Sequence, residues 1–227
     1  MDLRNCDNIE LMKQFEDKHF DLAIVDPPYG IGAGKRQGTT YTKGKGGKGF
    51  YSNKIYIPKD WDNATPTPEY WKELFRVSKN QIVWGGNYFA DQLPISRGWI
   101  FWDKKIANST TGNFSDGELA WTSFDRVLKK ITYDWIGFGY LNNSRGQKRI
   151  HPTEKPIDLY RKVLKEFATK GDKILDTHLG SGSIAVACHE EGFDLTACEI
   201  DVDYFNDAME RIKNDTAQTS LFLNEKI

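Results

Sequence analysis

An aspartate, two prolines and a tyrosine stand in a row at Asp26-Pro27-Pro28-Tyr29, directly after the largely apolar run Asp21-Leu22-Ala23-Ile24-Val25. Their types and order suit one kind of chemistry. An amino group attached to an aromatic ring is a poor nucleophile, because its lone pair is delocalised. A carboxylate accepting one N–H and a carbonyl accepting the other hold the nitrogen pyramidal and stabilise the positive charge it acquires. Asp26 supplies the carboxylate and Pro27 the carbonyl, while the rings of Pro27 and Pro28 fix φ and keep the carbonyl aimed. Tyr29 offers a face on which a flat ring can stack. A strand ending in a Pro-Pro turn would explain the prolines but not Asp26 or Tyr29. With Pro near ~5% of average usage, such a string arises by chance in on the order of one chain in a thousand of this length.

Two further segments carry chemistry. Ile174-Leu175-Asp176-Thr177-His178-Leu179-Gly180-Ser181-Gly182-Ser183 reads as strand, glycine turn and helix start. Such a turn lets the backbone approach a ligand and presents unpaired N–H groups at the helix N-terminus. Glu199, at the end of the next expected strand, can accept hydrogen bonds from two ribose hydroxyls, although taken alone it is equally a solvated strand-end acid. His151-Pro152-Thr153-Glu154-Lys155-Pro156 precedes a helical pattern. Gly30 to Lys35 is not a phosphate loop, since Tyr29 stands at its first glycine position and Arg36 where Ser or Thr is required. A dinucleotide dehydrogenase would need its glycine turn near the start of the chain and would leave residues 26–29 unexplained.

In this order the three segments resemble a β-class DNA amino-methyltransferase of restriction-modification or phage type, in which the catalytic motif precedes the S-adenosylmethionine motif. The resemblance covers nearly the whole chain and is most specific at residues 21–30, 151–160 and 173–201. It implies a single α/β domain over 1–227 with the Rossmann-like class I methyltransferase fold, mostly parallel, helices on both faces, circularly permuted. It also implies methyl transfer from S-adenosylmethionine to N6 of an adenine rotated out of double-stranded DNA, with Asp26, Pro27, Pro28 and Tyr29 catalytic. Asp176 falls near the cofactor's amino group, Thr153 and Lys155 near its carboxylate, and Asp7 beside its adenine, although an Asp before a helix is more often an N-cap. Gly180, Ser181, Gly182, Glu199 and Ile200 complete the cofactor set. Thr177 and His178 depart from the family's Pro-aromatic pair; His178 either lines the cofactor pocket or packs. A homodimer and a cognate restriction endonuclease are compatible partners. N4-cytosine methylation uses the same chemistry, but that subgroup more often has Ser at the place of Asp26. RNA or a protein glutamine as acceptor is a minor reading, and a catalytically idle DNA-binding subunit is the alternative from another class.

Gly30 to Phe50 holds eight glycines, five Lys or Arg and no acid. Such a segment cannot bury a core and reads as a mobile loop, about 30–60 in all. Its place beside Tyr29 points to Lys35, Arg36, Lys43, Lys45 and Lys48 as contacts to DNA phosphates. Residues 107–150, with Trp121, Arg126, Lys129, Lys130, Trp135, Arg145, Lys148 and Arg149, fill the slot in which the family carries target recognition.

The elements that must hold these residues alternate. Strands are expected at 3–6, 22–25, 81–84, 99–102, 118–122, 131–136, 173–176 and 195–199, and helices at 9–15, 67–77, 157–167, 183–190 and 204–212. Residues 30–61 read as irregular. Strands separated by helices imply a mostly parallel sheet covered on both faces.

Composition sets the outer limits. The 227 residues suffice for one full core. No run of about eighteen apolar residues exists, so no membrane span is expected, and the N-terminal residues lack a signal peptide's apolar stretch. Cys6, Cys188 and Cys198 form no CxxC pair, which suits a reducing cytoplasm, bacterial or phage-infected. His19, His151 and His189 lack metal-ligand spacing, so no metal is expected. A net charge of −1 confines any nucleic-acid surface to a local patch.

Overall fold

Alternation along the central strands decides the layering. On β2 (Phe20–Val25), Leu22 and Ile24 enter one hydrophobic cluster and Ala23 and Val25 another. The same split recurs on β5 (Ser78–Trp84), where Ile82 and Trp84 oppose Val83, and on β9 (Lys173–Asp176), where Ile174 opposes Leu175. Successive side chains point to opposite faces, so strands buried on both must be covered on both. One cover is formed by α3 (Ile157–Phe167), α4 (Ser183–Glu191) and α5 (Val202–Asn224), the other by α1 (Asn8–Met12) and α2 (Pro68–Val77).

The computed structural model describes residues 1–35, 38–43, 49–54, 59–104, 115–133, 150–151 and 153–224, with backbone alone for 38–43, 49–54 and 218–224. Eight strands form one sheet. The remaining members are β1 (Asp2–Asn5), β6 (Trp99–Asp103), β7 (Gly117–Thr122), β8 (Lys129–Thr132) and β10 (Asp194–Glu199), in the order β1-β10-β9-β2-β5-β7-β6-β8. From β1 to β5 every pair is parallel, whereas β7 runs antiparallel to both β5 and β6. This is the mostly parallel α/β sheet expected. Its order also matches the permutation: β9 and β10, late in the chain, lie between β1 and β2.

Two expectations need correction. Residues 30–61 are not irregular throughout: β3 (Gly38–Lys43) and β4 (Gly49–Lys54) pair antiparallel in register from Gly38↔Lys54 to Lys43↔Gly49. The strand expected to run to Ile136 ends at Thr132, and residues 134–149, with Trp135, Arg145, Lys148 and Arg149 of the expected recognition region, lie outside the described set. No helix among the described residues is long and apolar enough to cross a membrane.

Candidate active site

Because β2, β5, β9 and β10 are parallel, their C-terminal ends meet along one edge. Open α/β sheets bind ligands in the crevice there. Asp26 to Tyr29 leave the end of β2. At the neighbouring end of β5 the backbone turns at Gly85 with φ +68, and a Cβ there would sit 2.2 Å from the Tyr29 ring. Only glycine satisfies both conditions. Tyr29 is seated against this turn and stacked on Tyr88, with ring centroids 4.7 Å apart and planes 14° from parallel. Its hydroxyl donates to Asp26 Oδ1 at 2.7 Å. Burial and the adjacent Asp26 charge push the Tyr29 hydroxyl well above its ordinary pKa, so it remains a donor.

The other Asp26 oxygen accepts a hydrogen bond from the Lys155 amine. Glu118 on β7 lies 3.4 Å from the same amine, and Lys104 donates to Glu118 at 2.6 Å. Burial opposes the charge on Lys155, but Asp26 and Glu118 outweigh it and raise its pKa. Lys155, expected beside the cofactor's carboxylate, thus directs its amine to the Asp26 carboxylate. Glu118 belongs to no motif, and nothing in the sequence around it marks it as part of the site.

A cavity of about 250 Å³ adjoins Asp26. Of the expected residues, Asp26, Pro28, Thr153, Lys155, His178, Gly180, Ser181, Glu199 and Ile200 line it; Asp7, Pro27, Tyr29, Asp176 and Gly182 are not on its wall. Gly182, in the turn that starts α4, has φ +74, and a Cβ on it would meet Ile212 at 2.9 Å. Glu199 shapes the turn by accepting from the Gly180 N–H at 2.9 Å and the Asp201 N–H at 3.0 Å, and burial raises its pKa. Asp176 sits behind the wall and accepts the His178 N–H at 3.0 Å; burial drives its pKa up to about 8. Asp7 is the N-cap of α1, accepting from Ile9 at 2.8 Å and Glu10 at 3.1 Å, while its neighbours Cys6 and Asn8 reach the cavity.

His178 is held at both nitrogens. Asn8 lies 3.1 Å from Nε2 and Thr177 Oγ1 2.9 Å from Nδ1, and Tyr70 continues the chain 2.8 Å from Thr177. Burial lowers its pKa to about 4, so the ring is neutral at neutral pH and accepts the Asn8 amide at Nε2. Among the described residues no group of three or more His, Cys, Asp or Glu could hold a metal.

The segment after Tyr29 is also anchored. Asp62, fully buried, accepts the N–H groups of Gly30, Ile31 and Ala33 at 2.9, 3.3 and 2.7 Å. The Lys59 N–H donates to the Gly34 carbonyl at 3.1 Å, so residues 30–35 and 59–62 clasp each other at the root of the β3–β4 hairpin. Lys35 is exposed and 3.3 Å from Asp60. Arg36, Lys45 and Lys48 lie outside the described residues, and of Lys43 only the backbone is described. Trp61, His151 and Tyr204 form an aromatic group on the cavity wall, with centroids 5.2 and 4.5 Å apart from His151. Asp62 and Trp61 carry no sequence signal, because their partners lie some thirty or more residues away.

Fold and site together define a methyltransferase-type α/β protein. Solved structures agree on the fold: the M1.HpyAVI–SAM complex superposes with a TM-score of 0.56 at 18% identity, covering 92% of this chain and 98% of that one. The cytosine-N4-specific PvuII DNA methyltransferase does so with 0.56 at 12% identity, covering 95% and 91%. The type II methyltransferase M.HpaI of Haemophilus parainfluenzae is 25% identical, over 92% of this chain and 74% of its own length. For M1.MboII of Moraxella bovis the identity is 21%, over 90% and 92%. The family model for DNA methylases of the N6/N4 type matches residues 50–210. The chain belongs to that DNA methylase family.

Proposed function

We propose that this DNA methylase transfers a methyl group from S-adenosylmethionine to N6 of adenine in double-stranded DNA. One observation carries the reading: the Asp26 carboxylate, fixed by Tyr29 and Lys155, opens on a cavity bounded by the Gly180 turn and Glu199. That wall fits S-adenosylmethionine. Glu199 is a carboxylate for the ribose hydroxyls, Gly180 and Ser181 let the backbone come close, and Leu179, Ile184 and Ile200 offer apolar surface. The cofactor supplies an electrophilic methyl on sulfur.

The chain's residues do the rest. Asp26 accepts one N–H of the target amino group, and the Pro27 carbonyl accepts the other. Together they stabilise the pyramidal nitrogen and its growing positive charge. The Tyr29–Tyr88 pair provides an aromatic surface for the extruded base and offsets part of the few kcal/mol of unstacking. Holding nitrogen and methyl in line accounts for up to roughly 7–11 kcal/mol of the acceleration. No covalent nucleophile is required. An aspartate at position 26 favours adenine over cytosine N4, the second reading, which the PvuII likeness keeps in view. Asp26→Ala should abolish transfer while leaving cofactor affinity within about threefold, as expected of a group acting on the base. Turnover near wild type sinks the assignment. Nucleoside analysis of DNA modified by the wild type then distinguishes N6-methyladenine from N4-methylcytosine.

A further inference from the structure

Lys155 stands between two carboxylates, its side chain only 4% exposed. Its amine bonds Asp26 Oδ2 and lies 3.4 Å from Glu118 Oε2, with the Trp84 ring 5.3 Å away. Glu118 is itself immobilised. It sits on β7 opposite Trp102, and its other oxygen takes the Lys104 amine, which rests 4.9 Å from the Trp102 ring. Burial disfavours the Glu118 charge, but the two lysines prevail and lower its pKa, so it stays anionic.

This arrangement creates a conflict at Asp26. Oδ1 already accepts from Tyr29 and Oδ2 from Lys155, so the target amino group must share one of these oxygens with a donor in place. A cation held on Asp26 also opposes the positive charge that develops on that nitrogen. Moving Lys155 away would be costly if it left a buried cation unpaired. We propose that Glu118 is the second station for Lys155. As the amino group takes up Asp26, the amine shifts along the Trp84 face to Glu118, and the buried cation is never left unpaired. Lys155 thereby holds Asp26 oriented in the free enzyme and relinquishes it on demand. Glu118 is a positioning residue, acting through Lys155 and never touching the base. The inference rests on Asp26 being the amino-group acceptor.

Glu118→Gln and Glu118→Asp test it, with tritiated methyl transfer to unmethylated plasmid DNA and cofactor affinity measured separately. Without the second charge Lys155 remains on Asp26, so the Gln variant should lose at least about tenfold in kcat with cofactor Kd within about twofold; the Asp variant should recover to about threefold below wild type. Unchanged kcat, parallel loss of rate and cofactor affinity, or an Asp variant no better than Gln overturns the proposal. Should the Gln variant not fold by circular dichroism, the Asp variant is read alone: a partial loss of kcat with cofactor affinity kept supports the hand-over, and full rate overturns it. Asp26→Ala is run alongside. If it is dead while Glu118→Gln is fully active, only the hand-over falls; if it is active, the assignment of Asp26 falls as well.

Discussion

The Asp176 carboxyl shows how one residue's surroundings become measurable. Its pKa is about 8 in the folded protein against an ordinary 3.8, chiefly from burial and secondarily from Asp26 and Glu199 nearby. The folded state therefore holds a proton that the unfolded chain releases near pH 4. Between these values the folded state carries more bound protons than the unfolded one, so stability falls as pH rises from about 4 to about 8. Urea unfolding across that window should show the decline, and Asp176→Asn should flatten it. If the cofactor's amino group pairs with Asp176, saturating S-adenosylmethionine should reduce the slope as well. An identical slope with and without it would separate Asp176 from the cofactor.

Among the elements, the hairpin of β3 and β4 is the most informative. If Lys43, Lys45 and Lys48 meet phosphates, replacing all three with Gln should weaken binding to specific and unrelated duplexes alike. The slope of log affinity against log salt should flatten by about 0.9 for each phosphate no longer neutralised. Sequence preference should survive, because phosphate contacts position without reading bases. An unaltered salt slope would make the hairpin a spacer. Its strands are legible in principle, as Thr39-Thr40-Tyr41-Thr42 and Phe50-Tyr51 are β-formers flanking a short glycine-containing connection. The abundance of glycine and lysine masks them. Helices with an apolar stripe, such as α3, and buried strands, such as β2 and β9, stand out because their signal is local in sequence. Within the site, Asp26, Tyr29, Gly180 and Glu199 are legible for the same reason. Glu118 and Asp62 are not, since each matters only through partners on distant strands and loops. Lys155 is legible as a site residue, but its neighbour is not: nothing in its own segment reveals that the end of β2 lies within its reach.

At the scale of the whole molecule, Lys59, five residues beyond β4, ties the root of the hairpin to the start of α5. The Lys59 amine reaches Asp201 at 2.5 and 2.6 Å and Asp203 at 2.9 Å, and lies 4.4 Å from the Tyr204 ring, while its N–H grips Gly34. Asp201 in turn bonds Glu199 through its own N–H. Force applied to the hairpin root is therefore felt two residues from the expected ribose ligand. Thermodynamics then imposes a symmetry that no single contact expresses: whatever factor duplex DNA adds to cofactor affinity, cofactor must add to DNA affinity. Typical couplings of this kind run from about 5- to 150-fold. Titrating S-adenosylmethionine with and without plasmid DNA measures the factor, and Lys59→Met should bring it towards one while leaving cofactor affinity in the absence of DNA nearly intact. Equal coupling in the variant and the parent would show that the two ligands communicate by another route, or not at all. If the strap transmits as its geometry predicts, the enzyme gains a preference for assembling the full ternary complex, with half-loaded forms depleted whichever ligand arrives first.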